Sequence, residues 1–236
     1  PPPFFLTHTP PSPSLSGLVG SEMCIRDSPS ADPDLLELLI IRVPEGDLTP
    51  ILFDQSEGDR LFVRPKMVGT YLLPKLDADM TLILTSTGTG VAPHMTMLET
   101  CVDTCKQVVM MECVRYSAEL AYAEQIRKFQ QTHPNLVYIS LVTREGDAKR
   151  YIQDYFRDGI LEKEHGVSIA PETTHVFACG NPAMIGIPKE DRETGTLSYE
   201  TPGGLVEILT TRYDLTIHTV SYTHLRAHET REDLVS

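Results

Sequence analysis

The stretch from Thr81 to Pro93, TLILTSTGTGVAP, carries the strongest chemical signal in the chain. An apolar run, Leu82-Ile83-Leu84, gives way to hydroxyl and small residues, with glycines at 88 and 90. The text then passes through Ala92-Pro93 into a helical pattern. That order predicts a buried strand, a tight turn and a helix start. A helix N-terminus presents unpaired backbone N–H groups and the positive end of its dipole, so such a turn can hold phosphate. Glycine lets the backbone approach a ligand closely. A Gly-x-Gly turn by itself is more often structural, so the weight falls on what accompanies it.

Three further apolar runs end in residues of the same kind. Arg115-Tyr116 follows QVVMMECV (107–114), Thr143-Arg144-Glu145 follows LVYISLV (136–142), and Cys179-Gly180-Asn181-Pro182 closes THVFAC (174–179). Four strand ends bearing small, hydroxyl, basic or thiol residues together indicate a nucleotide site. Arginine suits phosphate because its planar fork makes paired, charge-assisted hydrogen bonds. The plain alternative for each arginine is a solvated surface charge, and for Arg150 the two readings weigh equally. The plain alternative for Cys179 is a small buried residue, the commonest fate of a free cysteine, and the functional position is favoured over it. No histidine lies near it in sequence to activate it. A P-loop is excluded, because STGTGVAP lacks the Gly-Lys-Ser/Thr that would hold phosphates and magnesium.

The elements that would position these residues alternate. Strands are predicted at 81–86, 107–114, 136–142 and 174–179. Helices are predicted from about Pro93 to Cys105, over 117–131 with Ser117 as N-cap, near 150–157, briefly after Pro182, and over 203–212. Strands separated by helices of this length imply a parallel sheet covered on both faces, with ligands beyond the carboxyl ends of the strands. The preceding text is β-like. One strand is predicted at Leu35–Ile41, before the turn Val43-Pro44-Glu45-Gly46. A second is predicted at Arg60–Val63, and a short third at Thr70–Leu73.

Bulk properties narrow the class. At 236 residues and 41% hydrophobic content, the chain is long enough for a real core. No apolar run approaches the roughly 20 residues of a membrane-spanning helix. A net charge of −13 argues against a nucleic-acid binder. Metal chemistry has little support. His94, His133, His165, His175 and His218 show no ligand spacing, and Cys101 and Cys105 read as one face of a reduced helix. The cysteine usage predicts a reducing, cytoplasmic compartment. His94 is expected to be a partly exposed helix residue.

The ends read differently. Residues 1–33 are rich in Pro and Ser and lack periodicity, and 220–236 lack an apolar face. SGLVGSEMCIRDS (16–28) and VSYTHLRAHETRE (220–232) resemble translated sequencing-adaptor peptides, so both ends are set aside from the fold.

TGTGVAP (87–93), VRYSAELAY (114–122), VTRE (142–145) and CGNPAM (179–184), in that order, resemble the ferredoxin–NADP⁺ reductase family, especially its bacterial type. The resemblance covers roughly 34–218. It implies a partial antiparallel FAD-binding β-barrel over 34–76, followed by an α/β NADP-binding domain with a parallel sheet over 77–219. It also implies electron transfer between NADPH and ferredoxin or flavodoxin through FAD, by a monomer. On this resemblance Thr87, Gly88, Thr89 and Gly90 approach the NADP pyrophosphate and nicotinamide. Arg115, Arg144 and Arg150 hold the 2′-phosphate. Cys179, with Gly180 and Asn181, lies beside the nicotinamide, and Cys179 and Thr87 flank the reacting centre. Gly46, Leu48 and Thr49 belong to a short turn on the FAD pyrophosphate.

Some text departs from the family. Lys149-Arg150-Tyr151 stands where Gly-Arg-Ile is usual. The Arg-x-Tyr-Ser flavin motif is not found before residue 34, and the recognisable text stops near His218, before the family's usual end. The chain is therefore expected to bind NADP⁺ weakly and to retain little flavin. Two other functions remain: an NAD(P)H-dependent reductase serving free flavin or an oxygenase, and a non-catalytic NADP-binding module.

Overall fold

The structure, a computed structural model, describes residues 4–8, 23–26, 36–42, 44–45, 49–60, 71–146, 149–191, 193–194, 196–199, 202–216 and 220–224. Three antiparallel strands come first: β1 (Phe4–His8), β2 (Met23–Arg26) and β3 (Leu36–Ile40), with β3 in the middle. A short helix, α1 (Thr49–Phe53), follows. Among the described residues of 34–76, β3 is the only strand, the middle one of this sheet.

The alternating region then builds as the apolar runs predict. β4 (Thr81–Thr87) leads through a single 3₁₀ turn, Gly88–Gly90, into α2 (Val91–Cys101). β5 (Gln107–Val114), α3 (Ala123–Thr132) and β6 (Leu136–Val142) follow. Next come α4 (Ile152–Arg157), α5 (Ile160–His165), β7 (Thr174–Gly180) and α6 (Pro182–Ile185). A small hairpin, β8 (Pro188–Glu190) with β9 (Leu197–Tyr199), precedes α7 (Leu205–Arg212) and β10 (Val220–His224). The main sheet runs β10-β7-β4-β5-β6, all parallel.

Burial on both faces explains the near-continuous apolar text of the central strands. Leu82, Leu84, Val108, Met110, Phe177 and Cys179 pack on the side of α2 and α3. Ile83, Val109, Met111, Val176 and Ala178 pack against the helices α4 to α7. Each fully buried Leu, Ile or Met contributes about 1.5–3 kcal/mol to holding the helices on the sheet. β3 joins the first of these cores through Leu39, and Tyr122 Oη donates to Glu37 Oε1 at 2.6 Å.

Several expectations are corrected. α2 starts at Val91, not Pro93, because the 3₁₀ turn runs straight into it. Pro93 is still tolerated, since the first N–H groups of a helix have no partner within it. Ser117 does not cap a long helix. It opens a 3₁₀ turn, Ser117–Glu119, in which Glu119 Oε2 accepts from the N–H groups of Arg115 and Tyr116, and α3 begins only at Ala123. Residues 71–73 are not a strand. Tyr71 and Leu73 pack on the core while Leu72 is exposed, and no described strand pairs with them. α5 and the β8–β9 hairpin lie where no element is predicted. The expected strand at 60–63 falls almost wholly outside the described residues.

The sequence places 1–33 and 220–236 outside the fold, whereas the structure pairs β1 and β2 with β3, and β10 with β7. An open strand edge accepts any extended segment that reaches it.

Candidate nucleotide-binding site

The chain moves from β4 outward to β5 and β6, then returns to lay β7 on the opposite side of β4. In such a sheet a crevice opens beyond the carboxyl ends of the two strands where the order reverses. The ends of β4 and β7 meet there in direct contact. The Asn181 N–H donates to Thr87 Oγ1 at 2.7 Å. Gly180 has φ +143°, and a Cβ on it would lie 2.0 Å from Thr87 Oγ1. A Cβ on Gly90 would lie 2.2 Å from the carbonyl oxygen of Cys179. Both positions therefore require glycine to seat the turn after β4 against the end of β7. Asn181 also accepts from the N–H of Ala183 through Oδ1 at 2.8 Å, which fixes the start of α6.

The ends of β5 and β6 continue the same rim. Val114 C=O accepts from the Thr143 N–H at 3.0 Å, and Arg115 C=O accepts from the Arg144 N–H at 2.9 Å, so the ladder extends past the strands to both arginines. Arg115 pairs with Glu119 at 3.4 Å across an exposed surface, an ion pair worth little to stability. That guanidinium is therefore free to turn towards a phosphate. The side chains of Arg144 and Arg150 are exposed, with no ion pair among the described residues. Glu145 turns away from Arg144 and accepts from the Ser117 N–H at 3.0 Å.

Some site positions were not legible as such. Tyr116 and Tyr151 are about half exposed beside Arg115 and Arg150 and offer aromatic faces for stacking a base. The available signal was an aromatic residue directly after an arginine in both places. Glu112 is fully buried in β5, a lone acid in an otherwise apolar strand. Tyr138 Oη donates to its Oε2 at 2.8 Å, and its Oε1 has no partner. Burial pushes its carboxyl up to about 7, against the opposing pull of the Tyr138 hydrogen bond and the Arg127 charge. His94 is not partly exposed but fully buried. It bonds Tyr71 Oη through Nε2 at 2.7 Å, and burial holds it down near about 3, hence neutral. The reason is that α2 buries most of its start, including Val91, Ala92 and Met95 beside His94.

Thr87, Gly88, Thr89, Gly90, Cys179, Gly180 and Asn181 thus converge at one crevice, with Arg115 and Arg144 along its rim. Thr89 and Cys179 are buried there, so they face the packed interior of the turn rather than open solvent. Arg150 stands just before α4. Thr49 is buried at the first residue of α1, while Gly46 and Leu48 lie outside the described residues. Among the described residues no group of three His, Cys, Asp or Glu side chains could hold a metal ion, and no helix is long and apolar enough to cross a membrane.

Residues 84–190, which carry this crevice and rim, match the family model of the oxidoreductase NAD-binding domain. This chain is similar to ferredoxin–NADP reductases. Over 156 residues, 64% of this chain, it is 31% identical to a flavodoxin/ferredoxin–NADP reductase of Buchnera aphidicola subsp. Schizaphis graminum, of which 61% is covered. Over 162 residues it is 35% identical to a ferredoxin–NADP reductase of Pseudomonas aeruginosa, covering 64% of this chain and 63% of that one. The chain thus spans less than two thirds of the length of these relatives. Among solved structures, a ferredoxin–NADP⁺ reductase of Neisseria gonorrhoeae with bound FAD and NADP superposes with a TM-score of 0.68 at 15% identity, over 94% of this chain and 92% of that one. One from Plasmodium falciparum superposes with a TM-score of 0.59 at 15% identity, over 85% and 75%. At these identities the likeness speaks for the fold.

Proposed function

We propose that this chain is part of a flavoprotein oxidoreductase that exchanges electrons between NADPH and a ferredoxin or flavodoxin through FAD. Residues 77–219 form its NADP-binding domain and 34–76 part of its FAD-binding domain. The observation that carries this reading is the contact of the β4 turn with the β7 end at the switch point, flanked by exposed arginines. The curated relatives are named as ferredoxin or flavodoxin reductases, which supports the choice of partner.

The residues fit a dinucleotide. Thr87 to Gly90 offer backbone N–H groups to the pyrophosphate where glycine lets the chain come close. Arg115 and Arg144, with Arg150 beyond them, hold the 2′-phosphate. Tyr116 or Tyr151 stacks the adenine. Gly180, Asn181 and Cys179 border the nicotinamide, with Thr87 across from them, and Cys179 orients rather than attacks. On the FAD side, Gly46, Leu48 and Thr49 are assigned to the FAD pyrophosphate. The chemistry FAD supplies is the exchange of a two-electron hydride for single electrons. We read the protein as a cytoplasmic monomer.

Isothermal titration of NADP⁺ against NAD⁺ tests the assignment. The arginine rim predicts clearly tighter binding of NADP⁺, whereas equal Kd values would remove the 2′-phosphate site and favour a reductase that uses NADH.

A further inference from the structure

Glu112 stands in register opposite Ser86 of β4, and Ser86 opposite Cys179 of β7. Paired residues of neighbouring parallel strands share a face, so Cys179, Ser86 and Glu112 form one polar row across the sheet. That row lies on the α2 side, where Cys179 is packed. Adjacent strands lie about 4.8 Å apart, which puts Glu112 roughly 10 Å from the Cys179 edge of the crevice. Glu112 is fully buried. Its Oε2 has the Tyr138 hydroxyl, and its Oε1 has nothing. A buried carboxylate needs donors on both oxygens to stay ionised, so this one is half-satisfied.

We propose that Glu112 is a proton-holding positioning residue of the dinucleotide site: when an anionic dinucleotide binds at the strand ends, the Glu112 carboxyl takes up a proton. This inference rests on reading the crevice as a dinucleotide site. The groups around the carboxyl leave it poised for this. From β6 the Tyr138 hydroxyl favours the ionised form, and from α3 the Arg127 guanidinium does the same, lying 6.0 Å over the Tyr138 ring. From β4 the Ser86 hydroxyl donates instead to the Met111 carbonyl at 3.2 Å. From α2, His94 is neutral, Cys101 is a buried thiol and Glu99 accepts from Gln125. On the opposite face of β5 lies the Cys113 thiol, held protonated by burial. Burial against these partners leaves the carboxyl titrating near neutrality. The negative charge of the dinucleotide, arriving at the strand ends just beyond Glu112 on β5, favours the neutral acid. By reciprocity, a proton on Glu112 favours the anion. Dinucleotide affinity should therefore be higher below the titration of Glu112 than above it.

The test is calorimetric titration of the full chain with NADP⁺ between pH 7 and 8.5, in HEPES and in Tris. These buffers differ in ionisation enthalpy, so the pair reports protons exchanged. The 2′-phosphate, with a second pKa near 6, is fully ionised across this range. The wild-type chain should take up a fraction of a proton, and its affinity should fall by about three- to tenfold across the range. Glu112→Gln should exchange none and bind with nearly constant affinity. Tyr138→Phe, which removes the donor that stabilises the carboxylate, should move the fall to higher pH. A merely structural glutamate would not produce that movement. Equal proton uptake in wild type and Glu112→Gln, or no uptake in a wild type that binds, overturns the inference and leaves the dinucleotide site standing. Should Glu112→Gln not fold, an unmoved profile in Tyr138→Phe overturns it equally. Failure to bind NADP⁺ at any pH removes both.

Discussion

Gly180 and Thr87 stand so close that a Cβ on residue 180 would lie 2.0 Å from the Thr87 hydroxyl oxygen, the same oxygen that accepts the N–H of Asn181. The contact joins two strands far apart in sequence at the one place where the sheet order reverses. Gly180→Ala should therefore destabilise the fold by more than about 2 kcal/mol, from steric clash and from backbone strain at φ +143°. Denaturant unfolding would measure it. Adding Thr87→Ala should recover only part of the loss, because the Thr87 backbone N and O would still lie 2.9 Å from the new Cβ.

Arg144 is exposed, and its own N–H ties it to the end of β5 rather than to any acid. Arg144→Ala should leave stability within about 0.5 kcal/mol of wild type. It should weaken NADP⁺ by about 1.5–3 kcal/mol, the worth of a hydrogen bond to a charged group, and leave NAD⁺ nearly unchanged. Parallel titrations of the two dinucleotides would show the split.

Glu112 carries its own stability signature. Its folded pKa, about 7, stands above its ordinary 4.5. A raised acid contributes stability that is full below the unfolded value and is lost as pH rises through the folded one. Glu112→Gln should therefore change little near pH 4.5 and stabilise the chain by roughly 3 kcal/mol relative to wild type above pH 7. Urea unfolding at pH 5 and pH 8 would compare the two.

His94 works in the opposite sense. Burial takes it from its ordinary 6.5 down to about 3. A depressed histidine contributes stability present above the unfolded value and lost as pH falls towards the folded one. Between pH 7 and pH 5 it should cost the wild type roughly 2 kcal/mol. In that window the slopes of Glu112 and His94 offset each other. Glu112→Gln should expose a loss on acidification, and His94→Gln a gain. Tyr71→Phe should cost about 1 kcal/mol at pH 7, the value of its hydrogen bond, and leave the pH slope in place.

Much of this was legible because doubly buried parallel strands announce themselves. β5 and β6 fall on their predicted bounds, and β4 and β7 run one residue further. The rule that ligands sit at the carboxyl ends of such strands then selected Thr87 to Gly90, Arg115, Arg144 and Cys179 to Asn181 without any contact being known. What stayed hidden depends on partners remote in sequence. Gly180 reads as a turn glycine until Thr87 is beside it. His94 reads as a helix surface residue until Tyr71 covers it, and Glu112 reads as an ordinary charge until Tyr138 meets it. α5 was missed because Gly159, left-handed at φ +65°, restarts a helix that propensity alone would end.

The central claim is that one crevice, between the ends of β4 and β7, receives NADP⁺. A crystal structure of the chain soaked with NADP⁺ tests it most directly. The account predicts the pyrophosphate against the backbone of Gly88–Gly90 and the 2′-phosphate within hydrogen-bond reach of Arg115 or Arg144. Dinucleotide bound anywhere else, with Arg144 still pointing into solvent, would contradict it.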